Sequence, residues 1–578
     1  MKKIFVAVVS LIAAHAASAQ YKCGNDLLDQ KIRKTNSRYE TVKKGASLKW
    51  AEFYRMQELS KMVVTGTDTS YEIPVVVHVM HTGGAIGTIY NPTDAAIIKM
   101  IDYLNKTWAA TWPDYYDVAH GGTKFPFVFK LAKRGPNCSS TTGINRVNAS
   151  VLSGYTTYGV CPFETEPGPT DAELKTLSLW PPQDYFNIWL VNDIENGGAG
   201  GYCPWPWFAD GALIDGAVVL AEYTLPISGS SYYQALPHEI GHGFGLYHTF
   251  QDGCHAPSAC LTAGDELCDT EPHDFIDMSC YAGKINTCTG VTYAGVEYNF
   301  MNYTSCPEKF TPDQRLRTIS TMRGYRWGLV NSMGAAAPDP AFVAPKTACA
   351  PAITVPSNTE NAGPCNIAIG TMNTSSGGYN TDGASYLDRT CIQQAFTLDG
   401  GKTYNIDIST RNTAQTVAAW IDYNNDGIFQ TTEKIFTHTG FSADETHSGS
   451  FKIPSGVTYA TNLRMRVKGD VGVISDACLN VNVGQTEDYT VYINKPASIN
   501  EFAANSSFRL MPNPAATSVR IEGGEADNYT IRSVDGRVVM DLKQQRVADI
   551  SALAPGFYMV WAEQDGVCVA VEKLVVAH

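Results

Sequence analysis

One run limits what this chain can fold into more than any other: Pro237-His238-Glu239-Ile240-Gly241-His242-Gly243-Phe244-Gly245-Leu246-Tyr247-His248. Histidines four positions apart share a helix face, so His238 and His242 can hold one ion. Glu239 follows the first ligand and reaches the place where a water would sit. Gly245 lets the backbone leave the helix at positive φ, and the bend delivers His248 as a third nitrogen. Three neutral ligands with an open fourth position predict a catalytic zinc site, because structural zinc is normally closed by four protein ligands. Such an ion lowers the pKa of a water to about 7, and Glu239 is placed to take its proton and pass it to a leaving amine. A bare pair of histidines at this spacing arises easily by chance. With the glycine and third histidine added, the random expectation is on the order of one in tens of thousands. His78 and His120 stand alone and read as ordinary structural residues.

The N-terminus reads as an export signal. Lys2 and Lys3 precede an apolar stretch, Ile4 to Ala16, and Ala17-Ser18-Ala19 is a small-residue cleavage site, predicting a signal peptide over 1–19. The stretch is too short to span a bilayer, and no later segment has 18 uninterrupted apolar residues. A net charge of −14 argues against nucleic acid, which needs clustered Lys and Arg. Export also means that most of the 15 cysteines should pair, with an odd one left over. Cys23 is the first candidate for that thiol.

At 578 residues the chain should divide into roughly three or four domains. Residues 20–54 are polar and weakly helical, as in a pro-segment. Ile73–Met80 reads as a buried strand, 93–109 as a helix capped by Thr93, and 125–131 and 185–191 as further strands. Alternation of strands and helices up to about residue 330 predicts one α/β domain over 55–335. A linker with Pro338, Pro340 and Pro345 leads to a β-rich stretch, 346–495, and a seam at 496–507 to a small β unit, 505–578. Both are expected to be β-sandwich-like.

The extended histidine motif resembles that of the metzincin metallopeptidases, whose second hallmark is a methionine turn beneath the metal. Asn299-Phe300-Met301-Asn302-Tyr303, with Cys306 and Phe310-Thr311-x-x-Gln314, is similar to the pappalysin family in particular. The resemblance covers roughly residues 70–330. It implies an upper subdomain with a twisted sheet, an active-site helix and an irregular lower subdomain. It also implies that Tyr303 turns toward the substrate oxyanion and that Met301 underlies the site. By the same resemblance the expected disulfides are Cys254–Cys280 and Cys288–Cys306, with Cys260–Cys268 as an extra bridge. The segment Gly264–Pro272 resembles the family's calcium-associated loop, making Asp269 and Thr270 calcium candidates. Two features depart from the pattern: Pro237 inside the expected helix, which predicts a late start or a bend, and an added cysteine and Glu271 in the calcium-associated loop.

Asp422-Tyr423-Asn424-Asn425-Asp426-Gly427-Ile428, ending at Glu433, has the twelve-position calcium-loop pattern. The ligand candidates are Asp422, Asn424, Asp426, Ile428 and Glu433. Its flanks read as strands, so the loop joins strands rather than EF-hand helices. With Gly484-Gln485-Thr486-Glu487-Asp488-Tyr489 nearby, the segment resembles the GEVED β-domain. The tail, with Met511-Pro512-Asn513-Pro514, Asp535-Gly536-Arg537, Pro555-Gly556-Phe557-Tyr558 and Glu572–Val576, resembles the sorting domain of the type IX secretion system. That implies passage across an outer membrane by that machinery, with retention at the cell surface as a further outcome.

These readings predict a secreted zinc endopeptidase acting on proteins or peptides, with structural calcium. Two alternatives stay open: a surface adhesin built on a metzincin scaffold, and hydrolysis of another amide such as a cell-wall peptide. Cys23, a few residues into the exported chain, is a candidate latent-state zinc ligand. Release would follow cleavage between Ser47 and Met56, with Tyr54-Arg55 as one site.

Overall fold

The computed structural model describes residues 22–60, 70–111, 122–209, 214–224, 234–276, 279–355, 361–495, 508–564 and 567–578. The signal peptide, His120 and the 496–507 seam lie outside these residues. The described chain forms two compact units, one of residues up to 398 with 402–493, the other of 399–401 with 494–578.

In the first unit, helices α1 (Asn25–Thr35) and α2 (Tyr39–Ser60) precede strand β1 (Tyr71–His81) and helix α3 (Asp94–Trp108). Strands β2 (Phe127–Leu131) and β3 (Ile144–Asn148), short helices α4 (Tyr155–Tyr158) and α5 (Asp171–Thr176), and β4 (Phe186–Val191) follow. Next come β5 (Gly201–Tyr202), α6 (Pro206–Ala209), β6 (Ala217–Leu220), α7 (Ala235–Gly243), α8 (Pro312–Tyr325) and α9 (Trp327–Asn331). The sheet order is β2-β1-β4-β6-β5, with β3 also on β1. All its pairings are parallel except β5 on β6.

A parallel sheet covered on both faces needs strands that are apolar throughout. In β1, Ile73, Val75, Val77 and Val79 enter the core beneath α3 and α7, while Val76 and Met80 are buried on the opposite face. His78 is buried there too, hydrogen-bonded to Asn187 at 2.9 Å, and burial pushes it down to about 4. Trp108 anchors the first face, packed edge-on against Phe125, Phe129 and Phe244. Phe244 is the C-cap of α7, so this aromatic cluster fixes where that helix ends.

The Pro237 expectation is corrected. Helix α7 begins at Ala235, two residues before the proline. The first four N–H groups of a helix have no intrahelical acceptor, so a third-position proline removes no bond.

Residues 20–54 do more than form an arm. Helix α2 runs through the expected 54/55 boundary because its far half is docked: the Trp50 indole donates to the Glu266 carbonyl at 2.7 Å, and the Ser47 hydroxyl to the Glu266 carboxylate at 2.6 Å. The expected cleavage window, 47–56, therefore lies within a helix, and a protease must first unwind it.

The disulfide expectation is also corrected. The bridges are Cys254–Cys288 and Cys280–Cys306, not Cys254–Cys280 and Cys288–Cys306; Cys260 pairs with Cys268. Asn286 explains the first, donating to the Pro272 carbonyl and accepting from the Cys288 N–H, which folds Cys288 back toward Cys254. Tyr281 explains the second: its hydroxyl receives the Asn302 amide, setting Cys280 beside the exit of the methionine turn. Cys138–Cys391 and Cys349–Cys478 are the other bridges, and Cys23, Cys161, Cys203 and Cys568 are free thiols.

Strands β7 (Pro364–Ile369), β8 (Met372–Ser375), β9 (Tyr386–Asp388), β10 (Phe396–Asp399), β11 (Thr403–Thr410) and β12 (Thr416–Ile421) begin a sandwich. It is completed by β13 (Lys434–Thr439), β14 (Thr446–Lys452), β15 (Asn462–Asp470) and β16 (Gln485–Asn494). One sheet runs β10-β16-β15-β12-β13, with β9 on β16, and the other β14-β11-β7-β8. Ile367, Ile408, Val417, Met465 and Val491 are among the side chains between them. Asp488 is a buried acceptor for Arg466 and Arg464, at 2.7 and 2.8 Å.

In the second unit, the tail has a three-stranded and a four-stranded sheet sharing an apolar core that includes Phe508, Ile531, Val560 and Leu574.

Candidate metal centre

Helix α7 presents His238 and His242 one turn apart, and Gly245, at φ +88°, turns the chain so that His248 closes on them. A Cβ on Gly245 would stand 2.4 Å from the Thr321 hydroxyl. Gly245→Ala therefore combines left-handed backbone strain with a clash, an expected loss of about 1–3 kcal/mol of stability, checked by denaturant unfolding. The carbonyls at the helix exit are capped by cations: Arg326 donates to Gly243 O at 2.6 Å and Arg317 to Gly245 O at 2.7 Å. Arg326 is itself held by Asp215. None of these supporting residues was visible from spacing, since they come from distant segments of the chain.

The three imidazoles meet through their Nε2 atoms. His242 Nε2 lies 3.1 Å from Nε2 of both His238 and His248. Each Nδ1 faces an acceptor: the Phe300 carbonyl at 2.6 Å, the Leu246 carbonyl at 2.8 Å and the Asp26 carboxylate at 3.1 Å for His238, His242 and His248 respectively. With each Nδ1 carrying its proton, three Nε2 lone pairs point at one spot and none can donate to another. A cation at that spot satisfies all three at once, so the donor set fits zinc. Burial pushes His238 down to about 3 and His242 well below the usual histidine range, which keeps them neutral.

Glu239 is completely buried beneath β5, and burial raises its carboxyl well above the ordinary range. A Cβ on Gly201 would lie 3.1 Å from its Oε1, so the edge strand crosses the glutamate closely and a side chain there would crowd it. Met301 lies below, its sulfur 2.4 Å from where a Cβ on Gly241 would stand. The turn is locked by Asn299, which accepts from Met301 N–H at 2.9 Å and trades two hydrogen bonds with Gln314. Gln314 in turn closes a capping box with Thr311 at the start of α8.

The N-terminal segment fills the cleft. Cys23 forms a parallel bridge with Gly201, Gly24 N–H donates to Gly201 O and Gly200 N–H to Lys22 O, both at 2.7 Å. Cys23 Sγ lies 3.5 Å from His242 Nε2, and the sulfur and three histidine nitrogens all lie within 4.8 Å of one another. The Tyr303 hydroxyl donates to the Cys23 carbonyl at 3.2 Å. Asp26, which the sequence reading missed, sits against His248 and Tyr303. Burial works to raise its pKa, but His248 outweighs it and the group is left below the usual carboxylate range. The available signal was an acid three residues beyond the candidate thiol.

Asp269 and Thr270 are engaged otherwise: Asp269 accepts from the Asp313 N–H at 2.7 Å, and Thr270 donates to Asp265 at 2.7 Å. In the 422–433 loop, Asp422 accepts from the N–H of Asp426 and Gly427, Asp426 from the N–H of Ile428 at 2.8 Å, and Glu433 from that of Tyr423. The Asn424 amide donates to Asp426 at 2.9 Å. Asp422, Asp426 and Glu433 are not among the described groups that bring three ligand atoms within 4.8 Å.

Three histidines thus converge above a methionine turn on a mixed α/β scaffold. Residues 170–323 match the family model described as Pregnancy-associated plasma protein-A, the pappalysin peptidases. Residues 416–492 match the GEVED domain, and 509–577 the secretion system C-terminal sorting domain. The chain is similar to an extracellular metalloprotease of Colletotrichum graminicola, 36% identical over 150 residues, 24% of this chain and 50% of that protein. A second, from Podospora anserina, is 37% identical over 151 residues, 24% of this chain and 48% of that protein. The chain thus spans about half the length of the curated relatives it matches. Among solved structures, mirolysin in complex with a compound shares 25% identity, covering 47% of this chain and all of that one, with a TM-score of 0.39.

Proposed function

We propose that this chain is a secreted zinc endopeptidase, produced in a latent form whose cleft is sealed by its own N-terminal segment. The observation that carries this reading is the set of three Nε2 lone pairs aimed at one point, with every Nδ1 already engaged. The pappalysin match and the relatives called extracellular metalloproteases support it. The sorting-domain match and a sequence with no described helix long and apolar enough to cross a membrane support export by the type IX machinery.

His238, His242 and His248 would hold the ion. When bound, zinc supplies Lewis acidity toward a carbonyl and lowers the pKa of a water to about 7. Glu239 is the buried carboxylate beside the ligands, so it takes the proton from the attacking water and delivers it to the departing amine. Strand β5 offers its free edge to an extended peptide, which would lie on it by main-chain hydrogen bonds. Lys22–Gly24 holds that edge now, so substrate and N-terminal segment compete for it. Once Cys23 leaves, the Tyr303 hydroxyl loses the carbonyl it donates to and can turn to a substrate oxyanion.

We assign 1–19 as the signal peptide, 20–54 as pro-segment, 55–335 as catalytic domain, 346–495 as GEVED-like domain and 505–578 as sorting domain. Calcium is proposed for the 422–433 loop and, through Asp269 and Thr270, for the loop beneath α2. Both would need the carboxylates to turn from their present N–H donors toward the ion.

The processed chain should cleave a denatured protein, lose that activity to a chelator and recover it with zinc. Cleavage that survives complete metal removal contradicts the reading.

A further inference from the structure

Where the chain crosses from one sheet of the sandwich to the other, three ligand-type side chains converge. Strand β13 is the edge of its sheet and β14 the edge of the other, joined by residues 440–445. His438 on β13 and His447 on β14 bring their Nδ1 atoms to 2.9 Å. The Glu445 carboxylate joins them, with one ligand atom from each of the three within 4.8 Å of the others.

Each group is held in place by its surroundings. Thr410 lies 3.0 Å from His447 Nε2 and directs its own hydroxyl proton toward the Glu445 carbonyl. His447 Nε2–H therefore donates to Thr410, and its Nδ1 is left as a lone pair facing His438. Glu445 is turned inward because its Oε2 accepts from the N–H groups of Phe441 and Ser442, at 2.9 and 3.2 Å. Gly440 makes the room: a Cβ there would stand 2.6 Å from both Glu445 Oε2 and the His447 ring. His447 is buried while His438 is exposed, so the cluster is anchored on one side and open to solvent on the other.

We propose that His438, Glu445 and His447 form a second metal site, taking a divalent transition-metal ion such as Zn(II) with solvent in the remaining position. Two imidazole nitrogens and one carboxylate oxygen make an established ligand set for zinc, whose bonds of about 2.0–2.2 Å suit donors converging at these separations. The ion ties the free edges of the two sheets together at the side where no strand closes the sandwich. It lies apart from the catalytic histidines, in the β-domain, and acts on stability rather than on peptide cleavage.

The competing reading is a single Nδ1–H···Nδ1 hydrogen bond between two neutral imidazoles. Equilibrium dialysis of the full-length chain against buffered Zn(II) separates them, using wild type, His438→Gln and Glu445→Gln. Wild type should hold one more equivalent of Zn(II) than either variant, or bind that equivalent about 10-fold or more tightly. Zn(II) should raise the melting temperature of the β-domain transition in wild type and not in His438→Gln, with cleavage of a denatured protein unchanged. His438 is exposed, so its replacement leaves the core intact, and coincident melting of the metal-free proteins verifies it. Equal zinc content and equal zinc-dependent melting in all three proteins overturn the assignment.

Discussion

Glu239→Ala is expected to keep its zinc and lose at least about 10²-fold in the rate of peptide cleavage, the usual range for a general base being 10²–10⁴. The metal should stay because the three imidazoles are oriented by Phe300, Leu246 and Asp26, not by Glu239. The rate should fall because Glu239 is the carboxylate on the same helix turn as the ligands, buried under Gly201. Glu239→Gln separates proton transfer from packing: it fills the same space, cannot act as a base, and should be as slow as the alanine variant. Metal analysis with single-turnover rates on both proteins checks this. Near-normal cleavage by either metal-loaded variant removes the mechanism.

Cys23→Ala should raise the activity of the unprocessed chain by roughly 10–100-fold, the scale on which one partner around a metal alters a site. In the resting chain burial pushes the Cys23 thiol well above its usual range, but a thiol that coordinates a metal would be deprotonated, its proton passing to solvent while the sulfur takes the metal. As a fourth ligand the thiolate would exclude the catalytic water. Alanine removes the ligand while leaving the bridge to Gly201 and the contacts of Asp26 and Tyr303, so the segment is held on β5 less tightly, substrate displaces it more readily and the metal regains an open position. Equal latency in wild type and Cys23→Ala, measured before any cleavage, would assign the block to the strand pairing alone.

Much of the centre was legible because its chemistry is local in sequence. Helical spacing gives His238 and His242, the glycine gives His248, and the Asn299–Gln314 run gives the turn below. Strands β1 and β4 were legible because both faces are buried, which leaves mainly apolar runs interrupted by His78 and Asn187, whereas the short β3, β5 and β6 were not read from the sequence. What escaped is set by tertiary contacts. Arg317 and Arg326 reach the helix exit from distant segments, and spacing cannot assign them. The disulfide partners depended on how Asn286 and Tyr281 fold an irregular region, so a pairing taken from resemblance went wrong there. Pro237 suggested a disrupted helix because its position relative to the N-cap cannot be fixed from sequence to within two residues. Helix α2 read as polar because the face it buries is narrow, with Tyr39, Ala46 and Trp50 carrying most of it.

Zinc X-ray absorption on the unprocessed chain at one equivalent of metal tests the account at its centre. It predicts three imidazole nitrogens at about 2.0–2.1 Å and one sulfur at about 2.3 Å. In Cys23→Ala, and in the processed enzyme, the sulfur should be gone and a light atom should stand in its place, with the three nitrogens unchanged. A wild-type spectrum without sulfur contradicts the latent state, and one without three imidazoles contradicts the metal centre itself.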